Sequence, residues 1–542
     1  MILLAAQGLT CIYLVILVSF LIKRAARFWA LRNIPGPSNA SFVAGNMLQM
    51  SSINSGPFHQ HIMDTYGRVV KLHGFLGDTL LVISDPKALS LILTKEQYVF
   101  EETSFFVEGN RLIFGTSLFS TLGTHHRKQR KLLNPVFSIA HMRRLIPIFQ
   151  SLTLQLQGIL RKQVSDGPHE IDMVDWMGRL ALEVMAQAGL GHTFNTFDSH
   201  KHEYCRAVEE FVPTFSQLMK FGALFPSGLV KATPKRVLSR FAKMLPWGTL
   251  HHMMGIVDTM HVESKGVWER KKALFLEGDN ALVNQVGEGR DIMSILLKEN
   301  FLAPEEDRLP DNELLAQLNA LVFAGSDTTS NALARILHLL AQHPEAQEKL
   351  RAELRKVESE KGQLEYDDLV GLPYLDAVCR ESLRLYPPIH FQNRISRKDM
   401  VVSLDKPIKS NNGEDLHELF VPNGTTIMIN ILGVNCDPSI WGPDALEWKP
   451  ERWLSHLPES VTDAKIPGVY ANTLTFLGGG RACIGFRFSR LEMKVVLAQL
   501  LATFKFELSK KEIFWKFGGF ITPSVKGSTA VHPSLPMNVS LA

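Results

Sequence analysis

Cysteine is scarce in this chain: five among 542 residues, at Cys11, Cys205, Cys379, Cys436 and Cys483. They stand singly, with no C-x-x-C pair, which argues against a disulfide framework and a structural zinc site. The scarcity fits a reducing compartment for the main domain. Charge of one sign is also missing. Lys and Arg number 58 against 54 Asp and Glu, a net +4, too mild a balance for a nucleic-acid partner. No G-x-G-x-x-G and no P-loop signature occurs, so the chain carries no dinucleotide or phosphate fingerprint of its own. Internal repeats and low-complexity tracts are absent too. What remains is 45% hydrophobic and 21% charged, the composition of a globular protein with a sizeable core. The length suits two to four average domains or one large single-core enzyme.

A further absence is local. Residues 1–22 carry no charged side chain, and that length is enough to cross a bilayer as a helix. Lys23, Arg24, Arg27 and Arg32 follow; such basic residues stay on the cytoplasmic side. There is no basic stretch before the apolar run and no small-x-small site at its end before Lys23, which disfavours a cleaved signal peptide. We expect a transmembrane anchor over 1–22 and a basic, proline-rich hinge over 23–38. Ile34-Pro35-Gly36-Pro37 is the stiff part of that hinge. The main domain then runs over 39–542.

Residues 476–485 read F-L-G-G-G-R-A-C-I-G, and the rest of the chain makes sense as a housing for them. A good helix opener follows Cys483, and free N–H groups at a helix start stabilise a thiolate. Gly478, Gly479, Gly480 and Gly485 remove side-chain bulk, so a flat ligand can approach the sulfur. Arg481 can meet an anionic group on that ligand. These are the needs of a haem iron held by one axial thiolate. An inert cysteine in a glycine loop is the bland alternative. Five fixed residue types give about one chance match per ten thousand chains of this length, so the haem reading leads.

The decamer resembles the haem-binding signature of the cytochrome P450 family at Phe476, Gly479, Arg481, Cys483 and Gly485. The resemblance implies a mainly α fold with small β-sheets (α+β), plus one N-terminal transmembrane helix. It implies haem b (iron protoporphyrin IX) as cofactor, Cys483 as the iron ligand, and 39–542 as a haem-binding monooxygenase domain. Family members usually carry Trp-x-x-x-Arg on a helix whose two side chains donate to a haem propionate. The matching pair here is His126 and Arg130, on one helical face by their i, i+4 spacing; His for Trp keeps an N–H donor. Arg394 sits where the family places another propionate-binding arginine. The neighbouring Arg127, Lys128 and Lys131 suit a docking face for an acidic redox partner.

Residues 312–340 read as one long apolar helix, interrupted by Ala324-Gly325-Ser326-Asp327-Thr328-Thr329. An acid and hydroxyls inside a buried helix break its own propensity rule and point to function or to a kink. The stretch resembles the family's A-G-x-D-T-T motif. By that resemblance Thr328 holds oxygen and a water, Asp327 feeds protons, and Gly325 leaves space for O₂.

Glu381-Ser382-Leu383-Arg384 matches the family's E-x-x-R. The pattern alone is weak, because it also starts at Glu108, Glu203, Glu305 and Glu348. Only the copy at Glu381 is followed by Leu385-Tyr386-Pro387-Pro388, a helix stop. With Arg452 of Pro450-Glu451-Arg452-Trp453 it implies a structural cluster: one buried carboxylate shared by two guanidinium groups. Asn435-Cys436-Asp437-Pro438 matches the turn before that motif, with Asn435 where many members have His.

Elsewhere, 69–93 reads as two strands and a helix, 105–119 as an irregular loop, and 145–300 as mostly amphipathic helix. The Phe-rich stretch 211–225 fits a pocket roof, a membrane-dipping surface or plain core. Residues 278–290 read as a surface loop and 514–527 as a hairpin with its tip near Ile521. Apolar pocket candidates are Phe105, Phe106, Phe114, Leu321, Phe323 and Ile521. The sequons at Asn39, Asn423 and Asn538 stay unmodified on a cytosolic domain.

The leading expectation is a membrane-anchored haem-thiolate monooxygenase acting on an apolar organic substrate, a secondary metabolite or a xenobiotic. It would use O₂ and NADPH-derived electrons. With no dinucleotide or flavin signature, the electrons must arrive from another protein. By resemblance that is NADPH–cytochrome P450 reductase, with cytochrome b5 as a second donor, at the endoplasmic reticulum membrane. The alternatives are a haem-thiolate isomerase or dehydratase of oxidised lipids and a non-catalytic haem sensor. Neither needs the acid–Thr pair, and Asp327 and Thr328 are both present.

Overall fold

Helices take up most of the chain, and the strands form four small sheets among the described residues, the mainly α architecture expected. A computed structural model describes residues 18–19, 22–198, 202–219, 227–277 and 289–542. The expected anchor over 1–22 lies almost wholly outside the described residues, as do positions 278–288 of the expected surface loop. Among the described residues, no helix is long and apolar enough to cross a membrane. The chain divides into two units. One holds residues up to Thr103, Phe391–Ile440 and Ser460–Arg481. The other holds Ser104–His390, Trp441–Glu459 and Ala482–Ala542.

The first unit is built on a five-stranded sheet in the order Val69–His73, Thr79–Ile83, Thr426–Asn430, Phe391–Ser396, Phe100–Glu101. Its one parallel pair joins Thr79–Ile83 to Thr426–Asn430. One face of the sheet presents Val70, Leu72, Leu80 and Val82 to Met50 and Ile62, the alternation that a strand with one buried face requires. The proline-rich stretch expected as a hinge is fixed along the edge of this sheet. Lys71 donates its backbone N–H to Pro35 O at 2.8 Å and its Nζ to Arg32 O at 2.9 Å. Leu31 and Ile34 are buried. A Cβ at Gly36 would lie 1.9 Å from Lys71 O, so only glycine permits this approach.

In the second unit, the helix Asp311–Gln342 is largely buried. It opens with Asp311 and Glu313 in its first turn, the charge a helix N-terminus favours. It ends where Pro344 begins the next helix, since proline disfavours helical backbone in the residue before it. Met173–Val184 packs along it, and Phe486–Thr503 packs on Ile139–Gln163. Two small sheets complete the unit. One is His169–Asp172, Pro536–Leu541 and Phe504–Leu508; the other is the expected hairpin of Ile513–Lys516 and Thr522–Val525.

The stretch 105–119 corrects one expectation. Ser104–Phe114 is helical, with Val107 and Phe114 buried at an i, i+7 spacing that brings them to one face. Gly109 hid the period, but nothing lies within 4 Å of where its Cβ would be, so no packing contact depends on it. Gly115, at φ +88°, ends the helix in a conformation that glycine accepts readily.

Candidate active site

The acid–alcohol stretch sits near the middle of Asp311–Gln342. Ser326 and Thr328 donate their hydroxyls to the carbonyls of Val322 and Ala324, each at 2.8 Å. Such back-bonding satisfies a hydroxyl inside a buried helix and bends it. Thr329 instead reaches Ser489 Oγ at 3.2 Å, tying this helix to Phe486–Thr503. Asp327 Oδ2 is buried with no hydrogen-bond partner among the described residues. Desolvation, with the charge of Glu209 second, raises the Asp327 carboxyl to about 7. Gly325 departs from its expected use. A Cβ there would lie 2.5 Å from Met185 Sδ, so the missing side chain makes room for Met185.

The aromatic rings above this stretch converge on Phe323. Its ring lies 5.3 Å from Phe114, 4.6 Å from Phe211 and 6.1 Å from Phe520. Of the apolar candidates, Phe106 joins the group at one remove through Phe119, 6.2 Å away, which in turn lies 6.1 Å from Phe114. Phe211 thus belongs to this cluster, while 220–225 of the Phe-rich stretch lie outside the described residues.

Cys483 comes two residues before Gly485, the N-cap of Phe486–Thr503. The sulfur is exposed, yet desolvation pushes its thiol pKa up, against opposing pulls from the Gly485 N–H and Arg130. Arg130, on Gly123–Leu133, donates to Ala482 O, the residue before the cysteine. His126 lies buried one turn earlier on that helix. Of the basic residues beside them, Lys131 pairs with Asp307 at 2.9 Å and Lys128 donates to Glu306 O at 2.6 Å.

The framework cluster of the second unit is closed. Glu381 is fully buried. Its Oε1 accepts from Arg384 Nη2 at 2.8 Å, Lys449 N at 3.1 Å and Arg452 Nε at 3.3 Å. Its Oε2 accepts from Arg384 Nε and Trp453 Nε1, each at 2.9 Å. Arg452 reaches on to Asp444 Oδ1 at 2.8 Å. The E-x-x-R copy at Glu108 forms its own i, i+3 pair with Arg111, which also donates to Ser120 O at 3.4 Å.

In the first unit, Arg394 is buried on the strand Phe391–Ser396. Its Nη1 donates to Glu102 Oε2 and Asn393 O, each at 2.8 Å, while its Nη2 is buried with no partner among the described residues. Arg481 ends the short turn Gly479–Arg481, and Phe476 packs edge-on against Tyr470 at 5.7 Å. The loop glycines do work the sequence did not disclose. A Cβ at Gly478 would lie 1.5 Å from Pro467 O, at Gly479 1.8 Å from Leu93 O, and at Gly480 2.5 Å from Gln97 Oε1. They let this backbone pack on the rest of its own unit, whereas the positions around them are filled by protein. Only Gly485 has room, its nearest neighbour being Phe137 at 3.8 Å. Asn435 pins the same loop, accepting from Leu474 N at 2.7 Å and donating to Thr475 Oγ1 at 2.9 Å.

The residues present fit a haem. In the second unit Cys483 offers a sulfur for iron; in the first, Arg394 Nη2 is a buried donor that lacks an acceptor among the described residues, as a propionate group would supply. That chemistry defines the class: a haem-thiolate oxidoreductase. Residues 35–530 match the cytochrome P450 family. The chain is 46% identical over 510 residues to cytochrome P450 monooxygenase 91 of Postia placenta, covering 94% of each chain. It is 45% identical over 523 residues to monooxygenase 212 of the same fungus, covering 96% of this chain and 95% of that one. It is 40% identical over 536 residues to a ganoderic acid synthetase of Ganoderma lucidum, covering 98% and 97%. The chain belongs to the cytochrome P450 family; it is a monooxygenase with haem b as its cofactor.

Proposed function

We propose that this protein is a membrane-anchored monooxygenase of the endoplasmic reticulum that hydroxylates or epoxidises a bulky apolar secondary metabolite. The observation that carries the reading is the half-buried Asp327–Thr328 pair on the helix that also carries Phe323, whose ring gathers those of Phe114, Phe211 and Phe520. The substrate would pack against those rings, which offer apolar surface and no charge. A secondary metabolite is favoured because a 40%-identical relative is named for making ganoderic acid.

Haem b, when bound, supplies the redox chemistry: with two electrons from outside, one atom of O₂ enters the substrate and the other becomes water. Cys483 would hold the iron. Arg394, Arg481, His126 and Arg130 would hold the propionates, and Arg130 also fixes the backbone at Ala482. Glu381, Arg384 and Arg452 would hold the chain that leads to the cysteine. Thr328 Oγ1 gives its proton to Ala324 O, so its lone pairs are left to accept from a water and hold it in place. Asp327 titrates at about 7, so at neutral pH it can release a proton from Oδ2 and regain it. The electrons would come from NADPH through cytochrome P450 reductase, with cytochrome b5 as a second donor.

Membrane attachment is supported by the charge-free run over 1–22 and the basic residues after it. Lys235–Met244 adds a second support. No residue on it is buried, and it carries separate apolar and basic stripes, the make-up of an interfacial helix. The test is a reconstituted assay with reductase and a panel of terpenoids. Product must require both O₂ and NADPH, and Cys483→Ser must lose the strongly red-shifted Soret band of the reduced carbon-monoxide complex. Turnover without O₂ would sink the monooxygenase reading.

A further inference from the structure

We propose that Arg335 and Trp515 form a latch that sets the position of the C-terminal hairpin tip, and through it the shape of the substrate pocket. The idea rests on the reading above, in which that tip walls the pocket.

Arg335 lies on Asp311–Gln342, two helical turns beyond Thr328. Its guanidinium carbon stands 3.4 Å from the centroid of the Trp515 ring and 4.4 Å from that of Tyr386. Among the described residues it has no hydrogen bond and no ion pair. Desolvation lowers its pKa to about 9. A half-buried cation without an acid loses part of its hydration at a cost, and here the two ring faces take the place of the counter-ion. The stack therefore has an energetic reason to stay closed.

Trp515 is held a second way. Its Nε1–H points at His338 Nδ1, 3.2 Å away. An indole N–H can only donate, so Nδ1 must carry a lone pair. Burial, with Arg335 second, lowers His338 to about 4, which keeps that lone pair available at neutral pH.

Trp515 pairs with Pro523, one residue pair before the turn of the hairpin. At the tip, Phe520 meets Phe323 at 6.1 Å and the Ile521 N–H donates to Pro388 O at 3.0 Å. One helix thus grips the hairpin at two levels, Phe323 and Arg335, about 18 Å apart along its axis. Releasing Trp515 would free the strand ends that carry the turn and let the tip shift over the acid–alcohol pair. Arg335 and Trp515 are positioning residues, since they act on the pocket through Phe520 and Ile521.

The test compares wild type, Arg335→Gln and Trp515→Phe in the full-length holoenzyme. Binding of imidazole and of ketoconazole is read by the azole spectral shift. Both coordinate through an azole nitrogen, but only ketoconazole is long enough to press on the hairpin tip. Arg335→Gln should change ketoconazole affinity by about fivefold or more, the scale of a lost desolvated cation–π contact. Imidazole affinity should stay within about twofold of wild type. Trp515→Phe keeps the stacked ring and loses the bond to His338, so it should shift in the same direction by less; it also carries the test if Arg335→Gln fails to fold. Hydrogen exchange over 517–522 should quicken in both variants. Parallel changes for the two azoles would overturn the latch, as would unchanged ketoconazole binding with unchanged exchange. A wild type that gives no shift with imidazole would instead overturn the haem reading, leaving the exchange measurement to decide the latch.

Discussion

Asp327 is the residue where the fold works against itself. Its carboxyl rises from 3.8 to about 7, first through desolvation and then through Glu209. The folded protein therefore holds this proton more tightly than the unfolded chain does. The penalty for burying the charge is absent below the unfolded pKa, grows as pH rises from about 4 to 7, and is complete above that. Asp327→Asn removes it. The variant should gain stability over wild type, by about 2 kcal/mol more at pH 8 than at pH 5, as read by thermal unfolding at the two values. The same change should slow turnover by about 10²-fold, the usual worth of a positioned proton donor. Wild-type product per NADPH should also fall as pH passes 7 and Asp327 ionises. Thr328→Ala should act differently. It removes the group that holds a water while leaving the proton source, so NADPH consumption should persist while more of it ends as hydrogen peroxide. NADPH, peroxide and product measured together separate the two variants; unchanged coupling in Thr328→Ala would point to another proton path.

At the scale of the element, legibility in the sequence followed the range of the interaction. The long helix was read as 312–340 and spans Asp311–Gln342, because its apolar run, acidic start and proline stop are all local signals. The E-x-x-R copy that matters was legible too, since its helix stop follows directly in sequence. The helix Ser104–Phe114 was not, because its period shows only once Val107 and Phe114 have a core to face. The loop glycines were legible as important but not for the right reason, since Leu93 and Pro467 cannot be seen as their neighbours from sequence. Asn435 looked like a departure from the family pattern, and its two bonds make it a pin. These contacts give a contrast. Gly479→Ala puts a Cβ 1.8 Å from Leu93 O at φ +68°, and should cost about 3 kcal/mol or more, with haem content lost. Gly485→Ala meets nothing closer than 3.8 Å and should keep most of its haem. Equal loss in both would return the glycines to the role of clearing space for the ligand. Arg384→Ala strips two bonds from the buried Glu381 carboxylate, a cost of about 3–5 kcal/mol. It should express without bound haem; a variant with normal haem and altered turnover would give Arg384 a catalytic part instead.

For the whole molecule, the proposed membrane attachment has more than one candidate contact. The charge-free run over 1–22 is the first. The helix Lys235–Met244 is a candidate second, and its geometry can be worked out from spacing. Val237, Phe241 and Met244 follow one another at i, i+4 and i+7, and Arg236, Arg240 and Lys243 do the same one position earlier. The two stripes run side by side. Phe241 and Met244 are 63% and 78% exposed, an arrangement that water disfavours and a bilayer interface rewards. Each basic residue near an anionic surface adds about 1 kcal/mol, and burying Phe241 and Met244 adds about 1.5–3 kcal/mol each if complete. Deleting residues 1–22 should therefore weaken attachment without abolishing it, and high salt should release more of the truncated chain than of the full one. Adding Phe241→Glu and Met244→Glu to the truncation should free the rest. Flotation with vesicles of neutral and of anionic lipid, at low and high salt, separates the apolar share from the electrostatic one. If the truncated chain is already fully released at low salt, residues 1–22 are the sole anchor and the exposed stripe needs another explanation.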